Sequence, residues 1–148
     1  MIYVEALSRL KCGVEGKTVF LAGGISNCPN WQQEMRSLLQ DTDLILFNPR
    51  REHFPIGDPG AAQEQIAWEH AYLRTADAIL FWFPCETLCP IVLYELGAWS
   101  MTDKPIFVGV HPEYERRQDV EIQTCLARPT VKVCYSLEDL AQQVSSLS

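Results

Sequence analysis

The sequence is short of positive charge. Its 148 residues include 12 lysines and arginines against 19 aspartates and glutamates, which gives a formal net charge of −7 at pH 7. A protein that binds the phosphate backbone of a nucleic acid needs a basic surface to offset the negative charge of the phosphates. The sequence therefore predicts that no nucleic acid polymer is a partner.

Long hydrophobic runs are also missing. No apolar stretch reaches the roughly 18 residues that a membrane-spanning helix needs, and Glu5 interrupts the region where a secretory signal would place its apolar core. We therefore expect a cytoplasmic protein without a membrane partner. The chain is 47% hydrophobic and has no repeat or linker, so we expect one domain over residues 1–148, in which residues 1–16 are an irregular segment.

Metal-ligand spacing is absent as well. Of the six cysteines only Cys85 and Cys89 are close in sequence, and the three histidines are far apart. No second pair completes a zinc motif, and the sequence places no base beside a thiol to make it a nucleophile. We expect free cysteines that serve packing, with no metal and no cofactor.

The chain does contain an alternation of apolar runs and helical segments. Residues 78–83 are apolar throughout, which is typical of a central parallel strand buried on both faces. Further strands are predicted at 18–22, 44–47, 106–110 and 130–134, and helices at about 29–40, 61–76, 90–101, 113–128 and 136–144. Residues 2–7 fit an edge strand or a short helix. The pattern predicts an α/β fold, a single flavodoxin-like or Rossmann-like doubly wound sheet of about five parallel strands with helices on both faces.

Glu95 is the one ionisable carboxylate in the apolar helix predicted after the central strand. A lone carboxylate is costly to bury unless it is paired or has a task. A structural acid is one reading, but ligands of open α/β sheets bind beyond the carboxyl ends of the strands, where this helix begins. We expect Thr87 or Cys89 to cap the helix, and Gly97 to allow tight packing beside the site.

Glu69 lies beside the core stripe of the helix predicted over residues 61–76. One reading is an ordinary flanking charge that reaches solvent. This helix leads into the central strand, however, so its carboxylate can approach Glu95 from across a pocket. Two carboxylates on separate elements are the arrangement that glycosidic-bond chemistry uses.

Two further features lie at the carboxyl ends of predicted strands. Gly23 and Gly24 precede a helix, as in loops that bring backbone N–H groups to an anion or a sugar, although a tight turn without a ligand explains them equally well. Arg50 and Arg51 can clamp a phosphate or pair with acidic side chains. Residues 52–60 are rich in proline and glycine and are expected to cover the site.

Five short stretches together resemble the nucleoside 2-deoxyribosyltransferase-like family: residues 20–24, 48–51, 68–69, 76–77 and 94–97. The resemblance implies that Glu95, ionised, attacks the anomeric carbon and that Glu69, with a raised pKa, delivers a proton to the departing base. It also implies a homo-oligomer and a small nucleoside or nucleotide substrate. The residues that it assigns to substrate binding are Gly23, Gly24, Ser26, Asn48, Arg50, Arg51, Pro84 and Glu86.

The resemblance is incomplete at two places. Gly23 and Gly24 stand where the deoxyribosyltransferases carry an aromatic residue, which is closer to related nucleotide N-hydrolases with a phosphate-binding glycine loop. The aspartate usual before the nucleophile helix is not evident, and Glu86 is the nearest substitute. Cleavage of an N-glycosidic bond is therefore expected, with transfer to another base or to water left open. The alternatives are a nucleotide sensor without catalysis and, more weakly, a flavin protein.

Overall fold

The computed structural model describes residues 1–148 and contains one sheet of five parallel strands. The strands are β1 (Ile2–Glu5), β2 (Thr18–Gly23), β3 (Ile45–Asn48), β4 (Ala78–Phe83) and β5 (Ile106–Val110). Their order across the sheet is β1-β3-β2-β4-β5, and all neighbouring pairs are parallel. The run β3-β2-β4-β5 reproduces the first four positions of the flavodoxin-like order, so the predicted fold class is confirmed.

Five helices cover the two faces of the sheet. They are α1 (Trp31–Leu38), α2 (Pro59–Thr75), α3 (Pro90–Ser100), α4 (Arg117–Ala127) and α5 (Leu137–Ser145). One apolar core lies between the sheet and the pair α1 and α5, and a second core lies between the opposite face and the helices α2, α3 and α4. The fold is therefore doubly wound, with three layers.

The central strand β4 contributes side chains to both cores. Its residues are all buried, and alternate side chains point to opposite faces. Phe81 and Phe83 enter the core beneath α2, α3 and α4, whereas Leu80 and Trp82 enter the core beneath α1 and α5. This double burial explains the unbroken apolar run from which the strand was predicted.

The fifth strand predicted at residues 130–134 is wrong. A backbone hydrogen bond from Val131 N–H to Arg128 O closes a turn there, and only Cys134 reaches β5, in a single parallel bridge to Gly109. The fifth strand is β1 instead, which pairs with β3 at the other edge. The edge-strand interpretation of the N-terminal residues is thus the one that the structure shows, over Ile2–Glu5.

The predicted helices are all present, with different ends in some cases. The helix predicted to begin at residue 61 begins at Pro59, because Asp58 caps it through a hydrogen bond to Gly60 N–H. The helix predicted from residue 113 begins only at Arg117, since backbone bonds at Tyr114 and Arg117 form turns before it. No helix of the chain combines the length and apolar character that crossing a membrane requires.

Candidate functional site

A cavity of about 260 Å³ lies beyond the carboxyl ends of β2 and β4. In the sheet, β2 lies between β3 and β4. The helix α1 that follows β2 and the helix α2 that precedes β4 cover opposite faces, so the winding direction changes at this point. Ligand crevices of open α/β sheets form at such a point. Four of the residues predicted for the site line this cavity: Gly23, Ser26, Glu69 and Glu95.

Glu95 lies in the second turn of α3. Val92 and Leu96 of the same helix are buried in the core, and this leaves Glu95 at the border of the buried face, with its carboxylate at the cavity. Burial, and secondly the negative charge of Glu69, raises the pKa of Glu95 to about 7. The carboxyl group is therefore close to half protonated at neutral pH.

Glu69 approaches the cavity from α2. Burial raises the pKa of Glu69, and a hydrogen bond from Gln65 opposes this rise because it stabilises the ionised form. The charge of Glu69 adds to the rise at Glu95. Both pKa values are thus raised and the two groups are coupled, so the pair holds a proton more readily than two separate glutamates would.

Gln65 is a site residue that the sequence analysis missed. Its side chain is only 9% exposed, and its Nε2 donates to Pro49 O and to Glu69 Oε1, both at 2.7 Å. These bonds fix Glu69 relative to the loop after β3. Gln65 and Glu69 are four residues apart on one helix, a spacing that predicts a side-chain contact.

The glycine turn is explained by packing. A Cβ atom on Gly23 would collide with the Trp31 ring and would lie 2.6 Å from Trp82 O, and one on Gly24 would lie 2.7 Å from Pro84 Cγ. The carbonyl oxygen of Gly24 accepts hydrogen bonds from Trp31 Nε1 and from Gln32 Nε2, at 2.8 and 3.1 Å. Only Gly23 lines the cavity, and ligand binding by the turn stays a prediction.

Asn48 and Arg50 brace the loops around the cavity without lining it. The Asn48 side chain is paired with the backbone of Arg50, through Oδ1 to N at 2.9 Å and Nδ2 to O at 3.1 Å. The Arg50 guanidinium donates to Pro29 O, Cys28 O and Gln32 Oε1 at 2.8 to 3.1 Å. Its donors already hold the segment before α1, and phosphate binding by Arg50 stays a prediction.

The other three predicted binding residues also lie outside the cavity lining. The Arg51 guanidinium stacks 5.4 Å from the Phe54 ring centre, and its buried Nη1 has no hydrogen-bond partner. Pro84 is buried and Glu86 is exposed, both in the loop between β4 and α3. This loop reaches the cavity through Thr87 instead.

The start of α3 faces the cavity without a side-chain cap. Cys89 is the N-cap residue, in a left-handed conformation with φ 49°, and its side chain makes no capping hydrogen bond. The first N–H groups of a helix have no partner within it, and Ile91 and Val92 line the cavity.

The tight packing expected at Gly97 is wrong, because a Cβ atom there would meet no atom within 4 Å.

A larger apolar groove of about 570 Å³ adjoins the cavity between α2 and α3. Glu69 and Glu95 line both spaces. The groove also contains Ile66, Ile91 and Tyr94, whose exposed fractions are 65%, 65% and 76%. The two carboxylates therefore lie at the junction of the cavity and the larger apolar groove.

One group of potential metal ligands includes Cys85, in the loop between β4 and α3. The ligand atoms of Cys85, His111 and Glu113 are all within 4.8 Å of one another. Sequence spacing gave no sign of this group, because Cys85 follows β4 whereas His111 follows β5. Adjacent parallel strands bring their carboxyl ends to the same edge of a sheet.

Comparisons with known proteins agree with this fold. A family model described as "Nucleoside 2-deoxyribosyltransferase like" matches residues 16–114, and the chain belongs to this family. No curated protein matches the chain significantly. A solved structure described as a conserved protein from Enterococcus faecalis V583 is similar with a TM-score of 0.62 at 14% identity, over 89% of this chain and 99% of that chain. That likeness shows the fold alone.

Proposed function

We propose that the protein cleaves the N-glycosidic bond of a nucleoside or nucleotide and passes the ribosyl or deoxyribosyl group to another base or to water. The family supports a role in nucleoside chemistry. The observation that carries the finer proposal is that Glu69 and Glu95, from separate helices, line one cavity and interact electrostatically. Such a substrate also fits the predicted cytoplasmic location.

The proposed reaction assigns one carboxylate to each side of the bond. An oxygen of Glu95 bonds to the anomeric carbon while the C–N bond electrons leave with the base, and Glu69 gives that base a proton. The attacking Glu95 must be ionised, so the proton that the pair holds must lie on Glu69 at the moment of attack. An acceptor base or water then bonds to the anomeric carbon, the bond to Glu95 breaks, and the proton of the acceptor passes to Glu69.

The start of α3 supports recognition of a negatively charged substrate group. Uncapped N–H groups and the helix dipole attract anions, and this helix start lines the cavity, whereas Arg50 does not. We therefore propose that a 5′-phosphate would be received by α3. A preference for 5′-monophosphates over nucleosides would support this assignment.

The test is release of free base. The protein is incubated with a panel of nucleosides and 5′-monophosphates, with and without an acceptor base, and the products are separated by chromatography. We expect release by the parent and its loss in Glu95→Gln, while Glu64→Gln, an exposed change on α2, behaves as the parent. Dependence on the acceptor distinguishes transfer from hydrolysis.

A nucleotide sensor is the second candidate, and the raised pKa of Glu95 is the observation that favours it. A half-protonated carboxyl group is a weak nucleophile but can both donate and accept hydrogen bonds with ribose hydroxyls. Nucleotide that binds the parent and is recovered intact after long incubation would support the sensor and contradict the enzyme.

We further propose that a second copy of the chain covers the groove between α2 and α3. A monomer rarely leaves large apolar side chains grouped in solvent, and here Ile66, Ile91 and Tyr94 surround an opening to both carboxylates. Sedimentation analysis should show a homo-oligomer that Ile66→Glu dissociates. Leu126→Glu, an exposed change on α4, should leave it intact. A monomeric parent would contradict the proposal.

A further inference from the structure

We propose that Cys85, His111 and Glu113 form a binding site for a divalent transition metal ion of the zinc type. The site lies at the carboxyl ends of β4 and β5, outside the catalytic cavity. A thiol, an imidazole and a carboxylate are the three side-chain types that bind Zn²⁺ in proteins. Three protein ligands leave a fourth tetrahedral position for water.

The distances among the three side chains require a small adjustment. Their ligand atoms lie within 4.8 Å of one another, whereas bond lengths of about 2.0–2.3 Å place tetrahedral zinc ligands about 3.5 Å apart. Glu113 is the most exposed of the three, so rotation of its side chain can bring its carboxylate inward. Zinc binding releases the Cys85 thiol proton to solvent, and no oxidant or reductant is needed.

Two hydrogen bonds hold the two halves of the site together, one on each side of Cys85. The N–H group of His111 donates to Phe83 O at 2.9 Å, and the hydroxyl of Tyr114 donates to Leu88 O at 2.6 Å. Phe83 and Leu88 flank the loop that carries Cys85, whereas His111 and Tyr114 flank Glu113. The ligands are therefore positioned by contacts that do not depend on a metal ion.

His111 provides a local signature of binding. Its Nδ1 accepts a hydrogen bond from Glu113 N–H at 3.1 Å. A neutral imidazole has one free lone pair, so a metal ion at either ring nitrogen breaks this bond. The amide resonance of Glu113 should therefore shift on metal binding.

The site has a consequence for the cavity. The loop between β4 and α3 presents Cys85 to the metal ligands and Thr87 and Cys89 to the cavity. A bound ion adds a third connection between this loop and the segment after β5, beside the two hydrogen bonds described above. Metal binding should therefore slow hydrogen exchange of the loop amides, because it makes local opening less favourable.

The experiment is a titration of the metal-free full chain with Zn²⁺ by calorimetry and with Co²⁺ by absorbance. We expect one ion per chain, tetrahedral Co²⁺ bands with a thiolate charge-transfer band, and a shifted Glu113 amide. Loss of a group that only hydrogen-bonds to a metal ligand lowers metal affinity by about 10- to 100-fold. Loss of a direct ligand in Cys85→Ser, His111→Asn or Glu113→Gln should weaken binding at least as much.

Matched controls keep the test specific. His111→Asn retains an acceptor for the Glu113 N–H, so loss of binding in this variant reports the ligand and not the turn. Cys125→Ser and Glu115→Gln remove an exposed thiol and a nearby exposed carboxylate and should bind as the parent. Absence of saturable binding, or equal binding by parent and ligand variants with native circular dichroism, would overturn the proposal.

Discussion

The two faces of the sheet differ in what their helices contribute. On the face of α1 and α5, the polar groups of Trp31 and Gln32 both donate to Gly24 O, and the remaining core is apolar. The three buried side-chain polar atoms without a partner belong to the other side, in α2, α4 and the segment before α2. They are Arg51 Nη1, Gln65 Oε1 and Thr124 Oγ1.

The carboxyl groups with a raised pKa follow the same division. Glu69 and Glu95 are both on the α2 and α3 side, and burial raises the pKa of each. Unpaired polar atoms and desolvated carboxylates reduce stability, so the well-packed face must offset them. The comparison teaches that one sheet can separate its well-packed face from the face that carries the candidate site.

The largest expected effect is on the well-packed face. Trp31 is 2% exposed and donates a hydrogen bond to Gly24 O, so Trp31→Ala should lower the free energy of unfolding by about 3–5 kcal/mol. Trp99→Ala, a change to a partly buried tryptophan of α3, should cost clearly less. Urea unfolding followed by circular dichroism measures both. Equal losses would remove the difference between the faces.

In contrast to Trp31→Ala, Glu95→Gln should raise the free energy of unfolding above neutral pH. The unfolded carboxyl group ionises near pH 4.5 and the folded one near 7. Between these values the folded state retains a proton that the unfolded state has lost, so stability falls as pH rises through this window. Above pH 7 the variant, which lacks this titration, should be more stable than the parent by up to about 3 kcal/mol.

The measurement is urea unfolding of parent and variant at pH 4.5 and pH 8. The advantage of Glu95→Gln should appear only at the higher pH, and Glu64→Gln should show no such pattern. A parent that is more stable than Glu95→Gln at pH 8 would show that Glu95 is a satisfied structural acid, and would contradict its assignment to the candidate site.

The sequence was sufficient for those features that depend on local pattern. The apolar run of β4 predicted a strand buried on both faces. The isolation of Glu95 in an apolar helix predicted that its carboxylate lies at the crevice beyond the strand ends, where it lines the cavity. The family match covers residues 16–114, which includes both. The predicted strand at residues 130–134 failed because alternation there reflects partial burial beside a turn and not a ladder of hydrogen bonds.

Features that depend on distant contacts were not accessible in this way. The donors of Arg50 bind backbone oxygens 21 and 22 residues away and the side chain of Gln32, contacts that no spacing in the sequence indicates. Phosphate binding by Arg50 stays a prediction. The proximity of Cys85 to His111 depends on the pairing of β4 with β5, which no spacing in the sequence reveals. The glycine turn was compatible with a ligand loop or with a tight turn alone. The contact of Gly23 with Trp31, a residue of the next helix, explains the glycine by packing, and ligand binding by the turn stays a prediction.

The smallest effect separates the two carboxylates of the candidate site. The proposed reaction needs an ionised Glu95 and a protonated Glu69, so base release by the parent should fall as pH rises through the pKa of about 7 and the pair loses its proton.

Glu69→Gln removes the proton donor, so the maximal rate should fall, and the remaining base release should rise with pH as Glu95 ionises. The variant also lacks the charge of Glu69, which lowers the pKa of Glu95. Burial is the larger cause of the rise from 4.5, so this pKa should fall by less than half of that rise. Glu64→Gln should keep the profile of the parent, and a parent profile that keeps rising above pH 7 would contradict proton donation by Glu69.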